Sequence, residues 1–216
     1  MLFRSGSFTF NRTVPAGKSI TIYDGPGSTA PDSDLAATYN TPGTERFFGS
    51  IKIVSDIPVM AIVNQESTAA ADNKRGTYNA MGASESGSKL SAPLIQSAFY
   101  GFYTSLTIQS TTAAEATVNI CYTSDGTYSS VLNATKCYSH TTVGGFLNRY
   151  EGPPATAAQS DLLDDPFWLS GGNRRFIGAA TIEVTAGPDV VAYVNEETNP
   201  QTNDSMYTYN AFVVTP

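Results

Sequence analysis

The chain has 216 residues, with 12 Lys and Arg against 19 Asp and Glu and a formal net charge of −7. That length fits one large β domain or two small domains. Phosphate binding needs clustered Lys and Arg, so the acidic balance excludes nucleic acid as a partner, and no apolar run of about 18 residues is present to span a bilayer as a helix.

Charged residues make up only 14% of the chain, and its 48 Ser and Thr outnumber its 31 charges. A surface made polar by hydroxyls and amides is common in secreted and surface-layer proteins, so the expected location is extracellular or on the cell surface. Met1 is not followed by a basic and then apolar leader, so a signal peptide is either absent or outside this sequence.

The first segment, "SGSFTFNRTVPAGKSITIYDG", reads as short strands around a Pro-Ala-Gly turn. It carries the sequon Asn11-Arg12-Thr13, and Asp24, Asp32 and Asp34 form a loose acidic loop after it. "GSIKIVS" then alternates, with Ile51 and Ile53 on one face, and "VMAIVNQ" is apolar enough for a strand buried on both sides. A Ser/Gly-rich stretch near residues 84–97 reads as a linker. The aromatic run Phe99, Tyr100, Phe102 and Tyr103 reads as packing at the junction of two modules.

"FYTSLTIQS" and "ATVNICYTSDG" are two further strands joined by a turn. Cys121 and Cys137 lie in strand-like segments, and a disulfide between them closes a loop of about 15 residues, worth up to roughly 3 kcal/mol. A second sequon, Asn133-Ala134-Thr135, precedes Cys137, and a third, Asn203-Asp204-Ser205, lies near the C-terminus. All three are candidate glycosylation sites in turn-rich stretches. Residues 157–165, "AAQSDLLDD", are the best helix candidate, and it is short.

An internal repeat is the most informative feature. Arg46, Phe47 and Gly49 match Arg175, Phe176 and Gly178, 129 residues later. Ala61, Val63, Asn64 and Glu66 match Ala192, Val194, Asn195 and Glu197, 131 residues later, and Thr77-Tyr78-Asn79-Ala80 matches Thr208-Tyr209-Asn210-Ala211 at the same spacing. The chain therefore holds two copies of one β unit. The expected fold is all-β: two tandem antiparallel sandwiches, Ig-like or jelly-roll-like, over residues 1–83 and 98–216 with 84–97 between them. The first copy lacks a counterpart of Phe102–Ser110, so it reads as incomplete.

Gly101-Phe102-Tyr103-Thr104, Tyr122, Gly49-Ser50 and Val63-Asn64-Gln65 together resemble tandem β-sandwich repeats in large secreted and cell-surface proteins of filamentous environmental bacteria. The second copy departs from that pattern with Ala179 for Ser50 and Glu196 for Gln65. The resemblance covers most of residues 43–212. It implies spacer or interaction modules and names no catalytic residue.

Chemistry is sparse. His140 is the single histidine, and in the alternating "CYSHTT" it is expected to face solvent. Glu196 and Glu197 are adjacent on a strand and point to opposite faces, so they do not form a glycosidase pair. No cofactor is expected, with calcium at Asp161, Asp164 and Asp165 as the metal alternative to a solvated acidic loop. These features point to a non-enzymatic structural subunit of an extracellular filament, pilus or surface layer. Copies of the chain would be its partners, joined by strand complementation. Leu2–Phe10 and Tyr207–Val214 are the expected donor segments, with Leu2, Phe8, Phe10, Tyr207, Phe212 and Val214 in contact. The acceptor is the first module around Phe8, Phe10, Ile20, Ile22 and Ile51. The alternative is an adhesin or carbohydrate-binding module with cell-surface glycans as partners.

Overall fold

The computed structural model describes residues 9–24, 49–66, 75–112, 114–153, 159–163, 165–169, 174–198 and 206–214. The chain divides into two units, residues 1–51 and 52–216. In the first, residues 9–24 form no regular strand and are exposed throughout. They turn at Pro15, whose carbonyl accepts Lys18 N–H at 3.0 Å. Phe10, Ile20 and Ile22 are exposed there, as is Ile51, while Leu2 and Phe8 lie outside the described residues.

The second unit is antiparallel β. Its strands are β1 (Ile62–Glu66), β2 (Arg75–Asn79), β3 (Lys89–Ser97), β4 (Phe102–Ser110), β5 (Thr117–Ser124), β6 (Thr135–Thr141), β7 (Phe146–Tyr150), β8 (Phe176–Ala186), β9 (Val190–Thr198), β10 (Met206–Asn210) and β11 (Phe212–Val213). A five-stranded sheet runs β11-β3-β8-β5-β6, a four-stranded sheet runs β10-β9-β4-β7, and β1 pairs with β2 alone. The period-2 pattern decides which residues face in. Leu106 and Ile108 of β4 and Ala192 and Val194 of β9 are buried against Val118 and Ile120 of β5 and Ala180 and Ile182 of β8. One core thus joins the two larger sheets face to face, as in a β-sandwich.

Gly178 is fixed by this packing. A Cβ there would lie 2.0 Å from the Thr123 carbonyl oxygen of β5. That close approach accounts for the glycine that the repeat carries at this position. β3 is bulged between Ala92 and Ile95, where Pro93 can donate no ladder bond. The Tyr209 hydroxyl fills the gap: it accepts Leu94 N–H at 3.2 Å and donates to the Leu94 carbonyl.

Several sequence expectations change here. All-β architecture holds, but among the described residues there is one sandwich, not two in tandem, and the first repeat contributes the β1–β2 hairpin. Of the expected linker 84–97, residues 89–97 are strand β3, because Leu90, Ala92 and Ile95 face inward. Phe99 to Tyr103 do not join two modules. They turn β3 into β4 within the sandwich, with Phe102 N–H donating to the Phe99 carbonyl at 2.9 Å, and Tyr100 is exposed. The helical turn α1 falls at Pro166–Leu169, after the expected segment.

Candidate functional site

The repeat is visible in backbone geometry. Asn64 pairs with Thr77 across β1–β2, and Asn195 pairs with Thr208 across β9–β10. Ala80 N–H donates to Ala61 O at 3.0 Å, and Ala211 N–H donates to Ala192 O at 2.9 Å. The two hairpins therefore share one register, residue for residue. Their surroundings differ. β9 is flanked by β4 as well as β10, whereas β1 has no second neighbour among the described residues.

The first hairpin lies on the outer face of the second. The rings of Tyr78 and Tyr193 are 4.1 Å apart. Thr208 Oγ1 donates to the Thr77 carbonyl at 2.7 Å, and the Tyr193 hydroxyl donates to Gln65 Oε1. Gly76 permits the contact, since a Cβ there would meet Thr208 Cγ2 at 2.6 Å and Met206 Cε at 3.1 Å. An open groove of about 580 Å³ runs beside this contact, lined by Thr77–Asn79, Ser84, Glu85 and Thr208–Val213. Asn64 Oδ1 accepts the Thr77 hydroxyl across the hairpin at 2.9 Å, and Asn195 Oδ1 accepts that of Tyr193.

A second cluster fills the mouth of the sandwich between edge strands β6 and β7. Arg149 and the following Glu151 alternate inward from β7, and Tyr122, Tyr138 and His140 come from β5 and β6. Residues 159–163 and 165–169 plug the gap, with Tyr150 N–H donating to Gln159 O at 2.9 Å. Asp161 accepts Arg149 Nη2 at 2.7 Å, the Tyr122 hydroxyl at 3.0 Å and His140 Nε2 at 3.0 Å. Glu151 accepts the Ser160 hydroxyl and Leu162 N–H, the latter at 2.9 Å. Burial pushes the Glu151 carboxyl above its ordinary range, and the Asp161 charge adds to the shift. Burial, with both carboxylates, raises Tyr122 well above the usual phenol.

His140 is thus a correction: it faces the plug, not solvent, because the inward face of β6 is Lys136, Tyr138 and His140. Ser160 bonds Glu151 and His140 bonds Asp161, so the serine and histidine do not form a nucleophile–base pair. The buried members bond one another and hold the plug in place.

Of the residues expected at a metal site, Asp161 serves this network. Asp165 accepts Lys136 Nζ at 2.6 Å, the Tyr138 hydroxyl at 2.5 Å and Phe167 N–H at 2.8 Å. Partial burial raises the Asp165 carboxyl, but Lys136 and Tyr138 outweigh it and hold the group below its ordinary range. Asp164 lies outside the described residues. Among the described residues, no group of three or more His, Cys, Asp or Glu could hold a metal ion. Glu196 and Glu197 do fall on opposite faces of β9, with Glu196 buried.

Cys121 and Cys137 are directly paired across β5–β6 and form a disulfide on the outer face of the sheet. Asn11 and Asn133 are exposed, Asn133 in a turn with φ 51°, and Asn203 lies outside the described residues. Tyr207, Phe212 and Val214 are exposed. Their segment is already paired in its own chain, β10 with β9 and β11 with β3, and Val214 N–H donates to Lys89 O at 3.0 Å.

No family model, curated protein or solved structure matches the chain.

Arg149, Glu151 and Ser160 were not singled out from sequence, and Tyr122 only as part of the repeat pattern, yet a signal for part of this network exists. Tyr150-Glu151-Gly152-Pro153 and Ser160-Asp161-Leu162 are preceded, 127 residues earlier, by Tyr23-Asp24-Gly25-Pro26 and Ser33-Asp34-Leu35. The acid and its Ser-Asp-Leu partner recur together. Arg149 corresponds to Ile22 in the first copy, so the acid and the Ser-Asp-Leu sequence recur and the arginine does not.

Proposed function

We propose that the chain is a self-associating structural subunit of an extracellular assembly such as a filament, pilus or surface layer. One observation carries this reading. The same apolar positions are buried in one repeat and open in the other. Ile182 and Val190 are 0% exposed, and their counterparts Ile53 and Val59 are 56% and 46% exposed. Val54, Ile57, Met60 and Ile62 are exposed as well. Large apolar side chains left open in such number mark an interaction surface. The match of Ile53 and Val59 to buried sheet positions supports β structure from another copy as the partner. The disulfide and hydroxyl-rich composition support an oxidising, extracellular setting.

Sedimentation velocity of the purified, undenatured chain tests this reading. Concentration-dependent assemblies are expected, and Ile53→Asp should weaken them. A monomer at every concentration would remove the proposal.

A further inference from the structure

The β1–β2 hairpin has the features of an exchangeable element. Among the described residues it forms a sheet of its own, and a lone two-stranded hairpin is marginally stable in water. Its inner face does not enter a core. Val63, Gln65 and Tyr78 are the counterparts of Val194, Glu196 and Tyr209, which the second copy uses inside its sandwich. Here that face rests on Tyr193, Thr208 and Met206, on the outside of β9–β10.

A short connection with one 3-10 turn at Ala83–Glu85 joins the hairpin to the sandwich. Gly87 is clamped to Val190 by paired backbone bonds of 3.0 and 3.2 Å, and Ala80 bonds Ala61 within the hairpin. The chain between them, residues 81–86, is mostly exposed and rich in small residues. Six residues span at most about 20 Å when extended.

We infer that the β1–β2 hairpin exchanges between copies, leaving its own β9–β10 seat and taking the same seat on a second copy of this chain. The seat is shown by its occupant in cis: the Tyr78–Tyr193 ring contact, the Thr208–Thr77 bond and the Gly76 approach are all available to the same hairpin arriving in trans. Exchange of an identical element is a low-cost route to association. The contact is heterologous, one hairpin's inner face on the next sandwich's outer face, so a rotation that does not close gives an open chain of copies. This inference rests on the self-association proposed above and gives it a second contact, apart from the open Ile53 and Val59 positions.

Cysteine trapping tests it on the full chain. A Cβ at Gly76 lies against Thr208, within disulfide reach. In dilute solution the double variant Gly76→Cys/Thr208→Cys should close a bridge within one chain. Equimolar Gly76→Cys and Thr208→Cys single variants, mixed and then oxidised, should give a covalent heterodimer whose 76–208 peptide is found by mass spectrometry. Its yield should rise at least tenfold over a tenfold or greater increase in concentration. Closure in the double variant with no 76–208 heterodimer at any concentration would overturn exchange. Failure of the double variant to close would overturn the seat itself. Large assemblies in sedimentation without a 76–208 bridge would overturn exchange and leave self-association standing. A 76–208 heterodimer from the mixed variants, with a wild-type chain that sediments no further than a dimer, would keep exchange and remove the filament.

Discussion

The two repeat hairpins are the same object in two settings. Register, the closing Ala–Ala bond and most side chains agree between β1–β2 and β9–β10. The second is locked between β4 and a shared core, whereas the first, among the described residues, pairs only with itself and lies on its sibling. Local sequence therefore specifies the hairpin, and the neighbouring strands decide whether its apolar face is buried. Sheet propensity reflects this dependence on packing partners.

That contrast yields a graded set of expectations. The largest effect belongs to the second repeat's plug. Asp161→Ala leaves Arg149 buried without its 2.7 Å partner, and breaking a buried pair costs about 3–5 kcal/mol, measurable by urea denaturation. Next come the matched core positions. Ile182→Ala should cost about 2–5 kcal/mol as a cavity. Ile53→Ala, at the same repeat position but exposed, should stay within about 0.5 kcal/mol in dilute solution. Equal costs would mean that the first repeat is packed like the second.

A pH experiment sharpens the comparison at Glu196, whose counterpart is Gln65. Glu196 is 2% exposed, accepts the Thr104 hydroxyl at 2.6 Å, and has no partner for its other oxygen among the described residues. Burial raises its pKa to about 8, against an ordinary value of 4.5, while the Thr104 bond pulls the other way. Between those two values the folded chain binds more protons than the unfolded one, so this contribution to stability falls as pH rises. The slope approaches about 1.4 kcal/mol per pH unit. Glu196→Gln, which copies the first repeat, should flatten that slope between pH 5 and 8. An unchanged slope would place the titration elsewhere. The smallest effect is at the paired tyrosines. Tyr209→Phe removes the hydroxyl that patches the Pro93 bulge and should cost about 1 kcal/mol. Tyr78→Phe should cost almost nothing.

Strands were legible in sequence in β4 and β5, where alternation was clean. But "GSIKIVS" alternates as well and forms no strand, and the apolar "VMAIVNQ", expected to be buried on both faces, is open at Val59, Met60 and Ile62. β3 was obscured because Ser91, Pro93 and Ser97 made a strand look like a linker, and only its inward Leu90, Ala92 and Ile95 gave it away. The cysteine pair was readable because its two segments were both strand-like. The mouth network was not. Its members come from four separated segments, and His140 could not be assigned a face until Asp161 was seen opposite it. The chain's own use of Tyr207–Val214 was hidden for a similar reason, since pairing partners such as Lys89 lie more than a hundred residues away.

The central claim, that the open face of the first repeat drives copies of the chain together, is tested most directly by sedimentation velocity of the native protein across a hundredfold concentration range, with negative-stain images of the same samples. The account predicts species that grow with concentration and uniform fibres or sheets, both lost in Ile53→Asp while the sandwich still unfolds at the wild-type urea midpoint. A discrete monomer throughout, or assemblies that Ile53→Asp leaves untouched, would contradict it.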